Sequence, residues 1–248
     1  MGDGRNAMGE LDTSIGFDPP DLYRDGILTQ DQQPAPPIEG VEEWLALVEL
    51  VLQGLHHALN NRIGSLSALV ELFHLGDLPA DGSGFEGLAG DLTRLEDCNR
   101  VIRLLPADAH PAEEPLILDD LLADVFAIHR FLHEARDLQV TIVPTRFVEP
   151  VRVERWALLR VLTLLLADAK RVAKDTGAVV RAVTESDEQW VRVEFRIGAP
   201  LVANVPESGG GRYSEALAEK LGGTVSRRPG VAELRLPTLK ARRAADRQ

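Results

Sequence analysis

The chain has 248 residues, 44% of them hydrophobic, and a formal net charge of −12. That is enough apolar material for one or two domains with a buried core, and the acidic balance argues against a general nucleic-acid binder, which needs excess Lys and Arg to neutralise phosphates. No apolar run approaches the roughly 20 residues that span a bilayer, and the polar start Met1-Gly2-Asp3-Gly4-Arg5 is unlike a signal peptide, so a soluble, cytoplasmic protein with no membrane partner is expected.

Residues 1–38, rich in Gly, Asp, Pro and Gln, are expected to form a flexible leader. A long helix is predicted over 41–75, ending at the breaker Gly76-Asp77-Leu78-Pro79. Within it Leu52, Leu55, Leu59, Ile63, Leu66 and Val70 recur at steps of three and four, which predicts one buried face. His57 lies two positions from both Leu55 and Leu59 and therefore points nearly opposite, toward solvent. His56 is nearer the stripe and is expected to pack or to sit at an interface. Ser83-Gly84-Phe85-Glu86 has the form of a capping box and opens a second helix to about residue 105, with an apolar stripe of Phe85, Leu88, Leu92, Leu95, Ile102 and Leu105. The lone Cys98 falls within this helix and reads as packing. Two one-sided helices cannot bury their apolar faces well as a pair, so residues 39–108 are expected to homodimerise into a four-helix bundle.

Beyond the Pro- and Glu-rich connection at 109–115 the pattern changes. A short strand is predicted at 116–118, then a helix capped by Asp119 or Asp120 and running to about 136, strands at 138–142 and 150–153, and a helix at 154–174. Alternating strands at 179–183 and 190–195 pair around Ser186-Asp187-Glu188, and a helix at 214–221 and strands at 224–227 and 231–236 follow. Gly222-Gly223 reads as a helix stop, and 239–248 as a basic, solvated tail. The fold class is α+β: a helical hairpin followed, over 115–238, by an α/β sandwich with helices on one face of a mixed sheet. His129 and His133 stand four apart on a predicted helix, a spacing that suits two metal ligands, but no third ligand joins them in a motif and no metal is expected. There is no internal repeat and no hydrolase signature.

His57-Ala58-Leu59-Asn60-Asn61, with Ile63 beyond, resembles the phosphoacceptor box of bacterial sensor histidine kinases. Asp119-Asp120-Leu121-Leu122, Leu158-Leu159-Arg160-Val161-Leu162 and Gly222-Gly223 look like landmarks of the same family's ATP-binding domain, so the resemblance covers about residues 41–238. It implies that the His57 imidazole takes up a phosphoryl group. Asn60 and Asn61, one turn on, are either supporting groups that bond the ring or the phosphoryl oxygens, or helix-face filler.

The nucleotide boxes depart from the family's pattern. Leu164-Leu165-Leu166-Ala167-Asp168-Ala169 puts Leu164 at the first of two Asn positions and Asp168 at the second. Asp168 keeps a carboxylate that a hard cation accepts, or is a plain helix-face residue. Arg196-Ile197-Gly198-Ala199-Pro200 puts Arg196, which has only donors, where a carboxylate accepts from the adenine amino group. Only ten residues separate Gly198 from Gly209, too few for the family's nucleotide lid, and Gly209-Gly210-Gly211 is either a remnant phosphate loop or an ordinary helix entry. No tightly bound cofactor is expected. The implied function is most like that of phosphorelay histidine phosphotransferases of kinase-like architecture: His57 exchanges a phosphoryl group with receiver domains of response regulators, the receiver supplying the Asp and the Mg²⁺. A drifted ATP-dependent histidine kinase and a non-catalytic scaffold that binds regulators or kinases are the alternatives. Ala58, where many kinases carry an acid, counts against autokinase chemistry.

Overall fold

The computed structural model describes residues 40–76, 83–105, 112–132, 139–143, 147–198 and 211–245; the expected leader, His133 and Gly209 lie outside them. Helix α1 spans Val41–Leu75 and helix α2 Ser83–Leu104. α1 is bracketed by Gly40 and Gly76, both in the left-handed region with φ of 83° and 76°, which glycine enters without a Cβ penalty. The Gly76 N–H caps the carbonyls of Leu72 and Phe73. The two helices pack as a hairpin clasped by Asp91 of α2. Its buried carboxylate accepts from Ser65 Oγ at 2.6 Å, Arg62 Nη1 at 3.0 Å and Arg94 Nη1 at 3.3 Å.

The buried face of α1 follows the expected stripe only in part: Leu55 is buried and Leu59 and Leu66 are half-buried. Trp44, Leu47, Val51 and Leu55 are buried, whereas Leu52, Ile63 and Val70 are 48%, 56% and 51% exposed. The cause is tertiary: the first half of α1 lies on the sandwich, and that contact selects a face rotated from the Leu52–Ile63–Val70 row. In α2, likewise, Cys98, Val101 and Leu104 are buried while Phe85, Leu92 and Ile102 are exposed.

The sandwich runs β1 (Glu113–Leu116), α3 (Leu118–His129), β2 (Val140–Val143), β3 (Val151–Glu154), α4 (Arg155–Thr176), β4 (Val180–Ser186), β5 (Trp190–Ile197), α5 (Gly211–Lys220), β6 (Thr224–Arg228), β7 (Val231–Pro237) and α6 (Leu239–Ala245). β1 and β3 form an antiparallel ribbon, and the five-stranded sheet has the order β2-β4-β5-β7-β6, with β2–β4 parallel and the other pairs antiparallel. α4 lies against β4, β5 and β7. There Leu158, Leu162, Leu165 and Leu166 share the core with Val191, Val193 and Phe195, all fully buried. α3 and α5 pack on α4, which completes a helical layer over one face of a mixed sheet.

Some expected boundaries shift for local reasons. The first strand lies at 113–116 rather than 116–118, because the apolar Leu118 is recruited into α3 and fully buried. Asp119 and Asp120 do not cap α3; Ile117 precedes it, and both acids sit in the first turn, where the helix dipole favours them. α3 ends at His129 instead of near 136. α5 begins at Gly211, three residues before the expected start. In the segment expected as a tail, Leu239–Ala245 forms α6, capped by Thr238 Oγ1 on the Ala241 N–H at 3.0 Å. Arg242 then ties α6 to Glu113 at 2.8 Å and to the Arg152 carbonyl.

Candidate phosphoacceptor site and the nucleotide-box region

Both His56 and His57 are exposed on α1, and each has an asparagine one turn on. Asn60 Nδ2 lies 3.2 Å from His56 Nε2, and Asn61 Nδ2 lies 3.0 Å from His57 Nε2. An amide nitrogen has only hydrogens to give, so in this arrangement the Asn61 amide donates to Nε2 of His57. His56, expected to pack or to sit at an interface, is exposed in the single chain and lies in heptad phase with the exposed Ile63 and Val70.

What distinguishes His57 is its surroundings. It lines a cleft of about 310 Å³ between the hairpin and the end of α3. Gly54, Ala58 and Arg62 share its helix, Arg94, Asp97 and Cys98 come from α2, and Arg130 and Phe131 come from the turn after α3. The cleft exists because α1 meets that turn at Gly54. A Cβ built there would stand 1.8 Å from the Phe131 carbonyl oxygen, so only glycine permits the approach. Sequence reasoning missed Gly54, Arg94 and Arg130; the one available signal was a glycine inside a helical pattern, which asks for a packing reason.

The first turns of α1 dock on α4 and α5. Trp44 is covered by the Arg160 guanidinium, 5.4 Å from the ring centroid, and Arg160 Nη1 donates to the Tyr213 hydroxyl at 3.1 Å.

The nucleotide-box residues fall into two groups. Leu164 is core, and Asp168, one turn on, is buried. Arg227 of β6 reaches across to Asp168 Oδ2 at 3.5 Å while donating to Ser214 Oγ and Glu215 Oε1, each at 2.8 Å. Gly211 sits beside the same guanidinium. The cavity left between Asp168, Ala169, Ile197, Arg227, Val231 and Ala232 is about 10 Å³. Glu43 of α1 faces this cluster: burial, then the charges of Glu42 and Asp168, raises its carboxyl pKa against the opposing Arg227 and Arg212. Gly198 ends β5, its N–H bonded to the Val179 carbonyl at 2.9 Å.

Arg196 is elsewhere. Side chains alternate along β5, and the residue turned toward Asp168 is Ile197, whereas Arg196 is exposed, donates to Glu194 at 2.5 Å and forms a looser ion pair with Glu185 at 3.7 Å. Neither Arg196 nor Ile197 offers a side-chain acceptor. His129 is buried, and its Nε2 donates to the Thr163 carbonyl at 2.9 Å.

No family model matches the chain, and neither does any curated protein. Solved structures it is similar to include histidine kinases. Acinetobacter baumannii histidine kinase AdeS is 16% identical, with 73% of this chain and 96% of that chain covered and a TM-score of 0.39. The ATP-binding domain of PrrB from Mycobacterium tuberculosis is 22% identical over 51% of this chain and 97% of that one, with a TM-score of 0.40. Histidine kinase ThkA, solved in complex with the response regulator TrrA, is 14% identical over 80% of this chain and 64% of that one, with a TM-score of 0.43. These are likenesses of architecture, and the roles of individual residues rest on the geometry above.

Proposed function

We propose that this chain is a histidine phosphotransferase of two-component signalling, which accepts a phosphoryl group on His57 from one receiver domain and returns it to another. The observation that carries this reading is the plug at Asp168. The cavity of about 10 Å³ that the described residues leave between Asp168, Arg227 and Ile197 has room for about one water molecule. Nucleotide sites need hundreds of cubic ångströms. His57, by contrast, is exposed beside an open cleft, with Nε2 carrying the lone pair that attacks phosphorus. The receiver supplies the aspartyl phosphate and the Mg²⁺, and the hairpin mainly positions the imidazole. The exposed row of Leu52, Ile63 and Val70 supports a homodimer through the hairpin.

The test separates donors. The full chain stays unlabelled with radioactive ATP alone and takes acid-labile label from phosphorylated receivers; His57→Gln abolishes that label and His56→Gln keeps it. Label from ATP alone would restore the autokinase reading. No label from any receiver would leave the scaffold reading.

A further inference from the structure

We infer that Arg94 and Arg130 hold the phosphoryl group carried on His57, with Arg62 and Asp91 fixing Arg94; this rests on the phosphotransfer reading above. The three arginines enter the His57 cleft from three separate segments, on a chain whose net charge is −12. Arg62 and Arg94 share one carboxylate, Asp91, through a single Nη1 each, so the clasp retains one positive charge. Asp91 is held ionised: the Ser65 hydroxyl, then Arg62 and Arg94, lower its pKa against burial. Arg94 keeps its other N–H groups and is 59% exposed. Arg130, also exposed, has no ion-pair partner among the described residues. The acid on the same wall is Asp97, which leaves the cleft cationic by one charge once Asp91 is counted.

The transfer places demand on those donors. The Nε2 lone pair forms the P–N bond as the P–O bond of the acyl phosphate breaks, and that electron pair leaves on the receiver's carboxylate. The Asn61 amide must release Nε2 for this, and is then free to donate to a phosphoryl oxygen. The phosphoryl group arrives as a dianion on a ring that keeps its Nδ1 proton and so carries a single positive charge, which leaves one negative charge unmatched by the ring. Guanidinium forks fit its oxygens in bidentate fashion, which a lone asparagine cannot.

Two measurements on the full chain test the assignment. In the first, inorganic phosphate is titrated while the ¹⁵N resonances of the His57 ring are followed. The parent shifts at millimolar phosphate, and Arg130→Ala and Arg94→Ala each weaken the apparent affinity roughly tenfold. Arg130→Lys recovers part of the loss. In the second, phosphoramidate labels His57 and ³¹P spectra follow its gain and decay; both alanine variants label more slowly. A parent that labels while the variants bind phosphate and label as well as it does overturns the arginine assignment alone. A parent that never labels, from phosphoramidate or receiver, overturns the phosphotransfer reading and the assignment with it.

Discussion

A histidine buried with Nε2 donating to a main-chain carbonyl and no partner at Nδ1 must stay neutral to stay inside. This is the state of His129, 1% exposed. Burial, with the charge of Lys170 adding to it, pushes its pKa down to about 3. In the unfolded chain the ring takes a proton near pH 6.5. Between those values the unfolded state binds the extra proton, so this histidine leaves stability intact above about pH 6.5 and removes it as the pH falls toward 3. At pH 5 the loss relative to pH 7.5 is about 2 kcal/mol. Urea melts at the two pH values measure it, and His129→Gln removes that slope whatever it does to stability itself. An unchanged slope would show that the ring titrates normally.

Among the elements, α1 carries two glycines that look alike in the sequence and behave oppositely in the structure. Gly64 has open space where a Cβ would go. Gly64→Ala therefore follows helix propensity and stabilises by about 0.5–1 kcal/mol. Gly54→Ala drives a methyl into the Phe131 carbonyl, costing about 1–3 kcal/mol net and widening the His57 cleft. Thermal melts should move the two variants in opposite directions, by roughly 2–4 °C per kcal/mol. A stabilised Gly54→Ala would show that α1 does not touch the turn after α3. The contrast also marks what the sequence could tell. Period-two runs such as 190–195 located β5, and the steps of three and four located α1. The partner of Gly54 lies 77 residues away at Phe131, beyond any local pattern. The apolar positions of α1 belong to two adjacent rows, and only the docking of Trp44, Leu47, Val51 and Leu55 on the sandwich says which row is inside. Arg196 and Ile197 differ by one position, and that single step reverses the face of the sheet.

At the scale of the whole molecule, the α1 row of Leu52, Ile63 and Val70 and the α2 residues Phe85, Leu92 and Ile102 stay exposed in one protomer. Light scattering at micromolar concentration is expected to return about twice the chain mass of 27.1 kDa; a monomer stable to dilution would contradict the proposed dimer. α1 is 35 residues long, about 50 Å, and its buried anchors all fall between Trp44 and Leu55. Amide protons make that asymmetry visible. Those of 44–55 should open only with the global unfolding of the sandwich and exchange over hours at any concentration. Those of 63–75, which among the described residues lie against α2 and not against the sandwich, should exchange at a rate that rises on dilution, because the proposed second copy would add to the cover that α2 gives them. One continuous helix would then report two separate equilibria, folding at its start and association at its end.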